Sequence, residues 1–243
     1  MSDNAPQVPM DGAYGMRAAV LKTFTPGRPV KDLDLLAGRH VQINKVLEAV
    51  LSPGQHAAIY GERGVGKSSL ANLIYDMVFA AGQQDFIPVQ VNCGVKVTFQ
   101  TIWAEVFRQL DARINPEANP QVHLLSQFPE HDPGPEDIRS IFSQLKARSI
   151  IVLDEYDRVD DDIAVEMADT IKTLSDRDIP TTLVFVGVAE DVEQLIREHS
   201  SIDRALIQIP MPRMSRNELI DIVTKGMARL PQLHLENGLA QRM

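Results

Sequence analysis

The sequence predicts an α/β fold built on a parallel sheet, and three observations lead there. Five short apolar runs alternate with stretches of helical periodicity. Most of these runs are apolar at every position rather than at every second one, the pattern of strands buried on both faces. The first run ends in a glycine-rich loop that passes directly into a helix-forming stretch.

Residues 1–36 are rich in Pro and Gly, lack sustained periodicity, and read as a mobile arm. From Val41, the positions Ile43, Val46, Leu47, Val50 and Leu51 follow helical spacing. Ser52-Pro53-Gly54 forms a turn into the strand His56–Tyr60, and the next helix spans about Lys67 to Ala80, stopping at Gly82. The second strand is Ile87–Asn92. After it, Phe99, Ile102, Trp103, Val106, Phe107 and Leu110 trace an amphipathic helix whose aromatics are core rather than a ligand platform. Residues 115–134 hold four prolines and form a loop long for a compact domain. Then come a helix at Pro135–Ala147, the strand Ser149–Leu153 and a helix opened by Asp160, Asp161 and Asp162 that runs to about Ser175. The strand Thr181–Val186, a helix Asp191–His199 and the strand Ala205–Ile209 complete the alternation. A final helix runs from Ser215 to about Arg229, with Ser215 and Glu218 spaced as a capping box.

The 243 residues suffice for one ordinary domain, and 44% hydrophobic with 23% charged residues can fill a core. A net charge of −9 argues against a large nucleic-acid footprint on this segment. Cys93, the single cysteine, cannot form an internal disulfide and reads as a small buried residue. With no signal peptide and no membrane-spanning stretch, the setting expected is cytoplasmic, with no membrane partner.

The chemistry concentrates in two stretches. Gly61-x4-Gly66-Lys67-Ser68 has P-loop spacing between a strand and a helix. The stretch Gly61, Glu62, Arg63, Gly64, Val65, Gly66, Lys67, Ser68, Ser69 would turn backbone N–H groups inward around an anion. Lys67 would place its ammonium on the β- and γ-phosphates of a nucleotide, and the Ser68 hydroxyl would ligate Mg²⁺. The second stretch, Ile150-Ile-Val-Leu-Asp154-Glu155, delivers two carboxylates at the end of a buried strand, where α/β sheets place ligand chemistry. It reads as a Walker B motif, with Asp154 holding Mg²⁺ and Glu155 as general base for an attacking water. Asp157 and Asp160–Asp162 fail the EF-hand pattern for want of the sixth-position Gly and read as helix-start acids. No Asn-Lys-x-Asp guanine motif occurs; together with the Asp-Glu pair this favours ATP over GTP.

These motifs resemble those of the AAA+ ATPases, in the branch of origin-recognition-like, transposition-helper and STAND-type ATPases, over residues 37–230. Ala37-Gly38-Arg39 looks like the Gly-Arg box before that branch's first helix, and Val184-Phe-Val-Gly187 resembles its fourth core strand. The resemblance implies a P-loop NTPase three-layer sandwich with five parallel strands in the order 5-1-4-3-2. The family's polar sensor 1 residue would follow the fourth strand, but the stretch is Gly187-Val-Ala-Glu190, with Glu190 where Asn is expected. Ser200-Ser-Ile-Asp-Arg204 resembles the segment bearing the arginine finger, which reaches a neighbour's γ-phosphate. The alternative for Arg204 is an exposed charge paired with Asp203 or Glu198. Met211-Pro-Arg213-Met-Ser resembles the linker into the last core helix. Arg39, Arg63 and Arg213 are weaker phosphate or adenine-edge candidates. The family's C-terminal helical lid, with its sensor 2 arginine, is expected to be absent or truncated, residues 231–243 being its start or a tail.

The expected activity is Mg²⁺-dependent ATP binding and hydrolysis that drives conformational or oligomeric change, through self-association or a protein partner. Two alternatives stand beside it. One is a nucleotide-gated signalling or defence switch with little turnover. The other is a DNA-associated loader for replication or transposition, touching DNA through regions outside this chain.

Overall fold

The computed structural model describes residues 13–24, 29, 32–33, 36, 38–83, 85–94, 96–114, 123–196 and 202–230. Expectations that fall on residues 1–12, Ala37, 115–122, 197–201 and 231–243 lie outside the described residues. These include Ser200 and Glu198 beside Arg204, and the start of a lid.

Five strands form one parallel sheet: β1 (His56–Tyr60), β2 (Phe86–Asn92), β3 (Arg148–Asp154), β4 (Thr181–Gly187) and β5 (Leu206–Pro210). Their spatial order is β2-β3-β4-β1-β5, the order expected from the sequence read from the other edge. The central strands are closed to water along almost their whole length, whereas β2 and β5, at the edges, alternate with exposed positions. Asn92 stands opposite Asp154, and Tyr60 opposite both Gly187 and Pro210. The C-terminal ends of the strands are therefore brought level along one edge.

Helices cover both faces. Ala58, Tyr60, Ile151, Leu153, Leu183 and Phe185 point into a core shared with α5 (Phe99–Asp111), α7 (Pro135–Phe142) and α8 (Asp161–Ser175). The intervening Ala57, Ile59, Ile150, Val152, Val184 and Val186 are equally buried on the other side. There lie α2 (His40–Leu51), α3 (Lys67–Asn72) and α4 (Ile74–Ala80). In α5, Trp103 sits 6.1 Å from Phe99, 6.0 Å from Phe107 and 5.8 Å from Phe142, measured between rings. Such contacts add roughly 0.5–1.5 kcal/mol each beyond area burial. His56, fully buried, accepts the Leu183 N–H at 2.9 Å through Nδ1 and ties β1 to β4.

Several elements differ from expectation. The helix expected over Lys67–Ala80 is two, broken at Leu73, whose N–H bonds to the Leu70 carbonyl in a tighter turn. The helix expected to reach Ala147 ends at Phe142 in tight turns that bury Leu145. Within the long loop expected over 115–134, α6 (Leu124–Gln127) buries Leu124 and is followed by Phe128 at 5.3 Å from Phe107. The short helix α9 (Val192–Ile196) covers part of the span expected to run from Asp191 to His199.

The chain divides into two compact units, Arg39–Arg213 and the segments on either side of it. The second unit contains α1 (Ala13–Phe24) and α10 (Arg216–Ala228). No regular element was expected within residues 1–36, so α1 corrects that reading. The run Met16, Ala18, Ala19, Val20, Leu21, Phe24 carries the helix, and the flanking prolines masked it. Gly226 of α10 lets Phe24 approach: a Cβ there would stand 2.2 Å from the Phe24 ring. The expected capping box is present, Ser215 N–H donating to Glu218 Oε2 at 2.8 Å and Glu218 N–H to Ser215 Oγ at 3.3 Å.

Candidate nucleotide site

The loop after β1 has a backbone that only glycine adopts easily. Gly66 caps α3 at φ 96°, in the left-handed region, and Gly61 sits at φ 146°. A Cβ on Gly61 would fall 2.4 Å from the Met211 carbonyl, so glycine is also required for the close passage of the segment after β5. Lys67, the first residue of α3, is largely buried and turns back over the loop. Its Nζ donates to the carbonyls of Gly61 at 2.9 Å and Glu62 at 2.8 Å. Burial pulls the Lys67 pKa down, and the charges of Asp157 and Asp154 oppose that pull.

Behind the loop, Arg39 is buried, and its Nη2 donates to the Val65 carbonyl at 2.9 Å. It supports the loop from beneath. On the exposed side, Arg213 pairs with Glu62, its Nε and Nη2 lying 2.8 and 2.7 Å from Glu62 Oε2. Arg63 joins these residues in a cleft of about 700 Å³ walled by Tyr60, Val188, Met211 and Pro212. Glu190 also lines this cleft; its backbone N–H donates to Gln194 Oε1 at 2.7 Å.

The second motif meets the first. Ser68 Oγ donates to Asp154 Oδ1 at 3.3 Å, and the same oxygen accepts the Glu155 N–H at 2.9 Å. One hydroxyl and one carboxylate fit Mg²⁺, which keeps several waters and takes few protein ligands. Among the described residues, no group of three or more His, Cys, Asp and Glu could hold a metal. Glu155 adopts φ 57°, an uncommon conformation for a residue with a side chain. Its carboxylate pairs with Arg158 at 2.9 Å across the 3₁₀ turn Tyr156–Arg158.

Asp157 was expected to be helix-start chemistry. Instead, its Oδ1 accepts the Val188 N–H at 2.9 Å, linking the end of β3 to the segment after β4. Gly187 makes room for it, since a Cβ there would stand 2.9 Å from both the Asp157 nitrogen and Oδ1. Asp160 does stand at the N-cap of α8, with Asp161 and Asp162 in the first turn. Cys93 is fully buried next to Asp154, and burial, with the Asp154 and Glu155 charges, pushes its thiol up to about 12. That makes it inert near neutrality.

Arg204 is not brought to this site within one chain. It stands before β5 at the opposite edge of the sheet, with its carbonyl accepting Gln55 Nε2 at 2.8 Å. At roughly 3.3 Å per residue, the length of β5 alone puts about 17 Å between the two edges. Sequence reasoning missed Arg158 and the role of Asp157. The signal available was their place in Asp154-Glu-Tyr-Asp-Arg158, where a single tight turn puts residues three apart side by side.

Residues 51–196 match a family described as "AAA domain", which is more than half of the chain. Among curated proteins, none matches this sequence. Solved structures share the fold. The Walker-type ATPase of Pyrococcus abyssi is 14% identical, with a TM-score of 0.59, covering 90% of this chain and 65% of its own. The Drosophila ORC bound to DNA is 12% identical at a TM-score of 0.60, covering 100% and 57%. The Aeropyrum pernix ORC1 protein in complex with DNA is 17% identical at 0.56, covering 88% and 54%. This chain thus spans between about half and two thirds of the length of each of these three.

Proposed function

The chain belongs to the AAA domain family, and on that premise we propose that it is a Mg²⁺-dependent ATPase whose nucleotide cycle drives a conformational or oligomeric change. ATP binding and hydrolysis are the general capacity of the family. What supports assigning it to these residues is the contact of Ser68 with Asp154, which sets a hydroxyl and a carboxylate side by side next to a Gly-rich loop and a lysine.

In this reading the loop from Gly61 to Ser69 wraps the triphosphate with its N–H groups, and Lys67 exchanges the Gly61 and Glu62 carbonyls for phosphate oxygens. Ser68 and Asp154 would hold Mg²⁺, which would supply positive charge to offset the negative charge developing on the phosphate. Glu155 accepts a proton from water as the water oxygen bonds to the γ-phosphorus. The bond from that phosphorus to the bridging oxygen breaks, leaving ADP and phosphate. Arg39 keeps its bond to the Val65 carbonyl in this reading, and catalysis rests on positioning and charge.

The reading carries a cytoplasmic setting, supported by a lone buried cysteine. No described helix is long and apolar enough to cross a membrane. A DNA-associated role is suggested by the ORC structures bound to DNA, and in this reading it runs through regions outside this chain. A switch with little turnover is favoured by one observation, the ion pair that engages Glu155. Thermal shift and phosphate release with ATP, GTP and Mg²⁺ test the proposal. Stabilisation by ATP with Mg²⁺ that Lys67→Ala abolishes is expected, and an equal or stronger response to GTP would remove the base preference.

A further inference from the structure

The strands β2 and β5 end the sheet, and an open strand edge is a template for pairing with another chain. In β2 the Cys93 N–H, just past its end, donates inward to the Asp154 carbonyl at 2.7 Å. Backbone groups of successive residues alternate between the two edges of a strand, so those of Pro88, Gln90 and Asn92 face outward. Pro88 has no N–H to offer there. At Gln90 both groups are taken by one side chain of α5. Gln109 accepts the Gln90 N–H through Oε1 at 3.4 Å and donates from Nε2 to the Gln90 carbonyl at 2.9 Å. A side-chain carboxamide thus makes the pair of bonds that a neighbouring strand would make.

That carboxamide is held in the one orientation that serves. Its Nε2 gives a second hydrogen to Glu105 Oε1 at 2.7 Å, and its Oε1 accepts from Arg113 Nη1 at 3.3 Å. Turned over, it would set its NH₂ against the Arg113 guanidinium and its oxygen against the Glu105 carboxylate. Glu105 is fixed in turn by Arg108, whose Nε and Nη2 lie 2.7 and 2.6 Å from its two oxygens. Hydrogen bonds from Arg108 and then Gln109 hold the Glu105 carboxyl below the usual carboxylate range, so it remains an acceptor near neutrality. The opposite edge is closed by other means. Met211 N–H donates inward to the Tyr60 carbonyl at 2.7 Å, so the Gln208 and Pro210 carbonyls face outward. Lys45 Nζ and Gln42 Nε2 of α2 donate to them at 3.0 and 3.3 Å.

We propose that Gln109 closes the β2 edge: its carboxamide stands in for a neighbouring strand and keeps a second copy of this chain from adding its own β2. Two copies related by a two-fold axis would pair these edges antiparallel, each presenting the same residues to the other. Centred on Gln90, such a pairing would have Gln90 exchange its N–H and carbonyl with the same residue of the second copy. Those are the two groups that Gln109 occupies. Association of copies is thereby left to other surfaces of the molecule. The inference is independent of the nucleotide reading, because it needs neither ATP nor Mg²⁺.

The test uses the full chain without nucleotide, as wild type, Gln109→Ala and the Gln109→Ala/Gln90→Pro double variant. Amide hydrogen exchange and sedimentation across a range of protein concentrations are measured. Alanine removes the carboxamide while keeping a good helix former and adding little apolar surface. The wild-type Gln90 amide is expected to be protected despite its place on an outer edge. In dilute Gln109→Ala it should exchange about two- to ten-fold faster, the scale of one lost hydrogen bond. As concentration rises, Gln109→Ala should form dimers to an extent that the wild type does not, and protection at Gln90 should return. Gln90→Pro in that background should abolish the added association, since the outward N–H is gone. A wild-type Gln90 amide that exchanges as freely as one in an exposed loop overturns the inference without any variant. A Gln109→Ala protein that associates no more than wild type also overturns it. So does added association that survives Gln90→Pro, which would put the new contact on another surface.

Discussion

Ser68 Oγ lies 3.3 Å from Asp154 Oδ1, so the hydroxyl that opens α3 and the carboxylate that closes β3 share one point at the edge of the sheet. Two residues far apart in sequence meet there because β1 and β3 flank β4 in parallel register. Their convergence gives the first prediction. Asp154→Ala should lose the Mg²⁺ dependence of ATP binding, while Lys67→Ala should weaken ATP about 10- to 100-fold, the scale of a charged hydrogen bond. Isothermal calorimetry with and without Mg²⁺ checks both, and Mg²⁺-dependent binding that survives in Asp154→Ala would count against the assignment.

Glu155→Gln keeps shape and hydrogen-bonding capacity but cannot take a proton. It should bind ATP as the wild type does and hydrolyse it about 10²- to 10⁴-fold more slowly, the usual contribution of a general base. Single-turnover phosphate release measures this directly. A wild-type rate in the variant would remove Glu155 from the chemistry.

Arg39 and Val65 give a third prediction. The Arg39 guanidinium is buried and donates to the Val65 carbonyl, so Arg39→Met keeps the stem but strips a charged hydrogen bond. The expected loss is about 1.5–3 kcal/mol of stability, with weaker ATP binding because the loop loses its support. Urea unfolding and calorimetry read the two effects separately. Unchanged stability would mean that Arg39 does not support the loop.

Much of this architecture was legible in the sequence because burial on both faces writes itself as uninterrupted apolar runs, and β1, β3 and β4 are such strands. The P-loop was legible for a different reason: Gly61 and Gly66 occupy backbone conformations that leave no other residue comfortable. Other features were hidden where the deciding contact is long-range. The tie from Asp157 to Val188 depends on β4 lying beside β3, and the pairing of Glu62 with Arg213 depends on β5 lying beside β1. Neither leaves a local pattern. The helix α1 was hidden by composition, since prolines on either side outweighed a short apolar stretch.

His56 gives a prediction about pH. It is fully buried, accepts the Leu183 N–H through Nδ1, and burial lowers its pKa from the usual 6.5 to about 4, an effect that the nearby Ile171 backbone only partly offsets. Above pH 6.5 the imidazole is neutral in both the folded and the unfolded chain, and there is no cost. As pH falls below 6.5 the unfolded chain takes up a proton that the folded one refuses, so stability declines until the pH reaches the folded value. The full loss by about pH 4 is on the order of 3 kcal/mol. A His56→Gln variant should be less stable at neutral pH but lose less between pH 6.5 and 4. NMR titration of the His56 ring offers the direct check, and a midpoint near 6.5 would contradict its burial in the neutral form.

Arg204 gives the last prediction, and it turns on distance. The site lies at the C-terminal edge of the sheet and Arg204 before the N-terminal end of β5, so no side-chain rotation brings the guanidinium to a phosphate held by its own chain. If Arg204 contributes to hydrolysis, it does so on a neighbouring copy, and the complete site then exists only between two chains. Specific activity should rise with protein concentration and level off as the copies associate. Arg204→Ala should flatten that dependence at the low rate while leaving the ATP affinity of the isolated chain unchanged. Mixing Arg204→Ala with Lys67→Ala offers a sharper reading, because a mixed pair carries one intact loop facing one intact arginine and should recover part of the activity that each variant lacks alone. Sedimentation with ATP and Mg²⁺ gives the association to set beside the rates. Constant specific activity from a monomer, or no recovery on mixing, leaves Arg204 as an exposed charge at the far edge of the sheet.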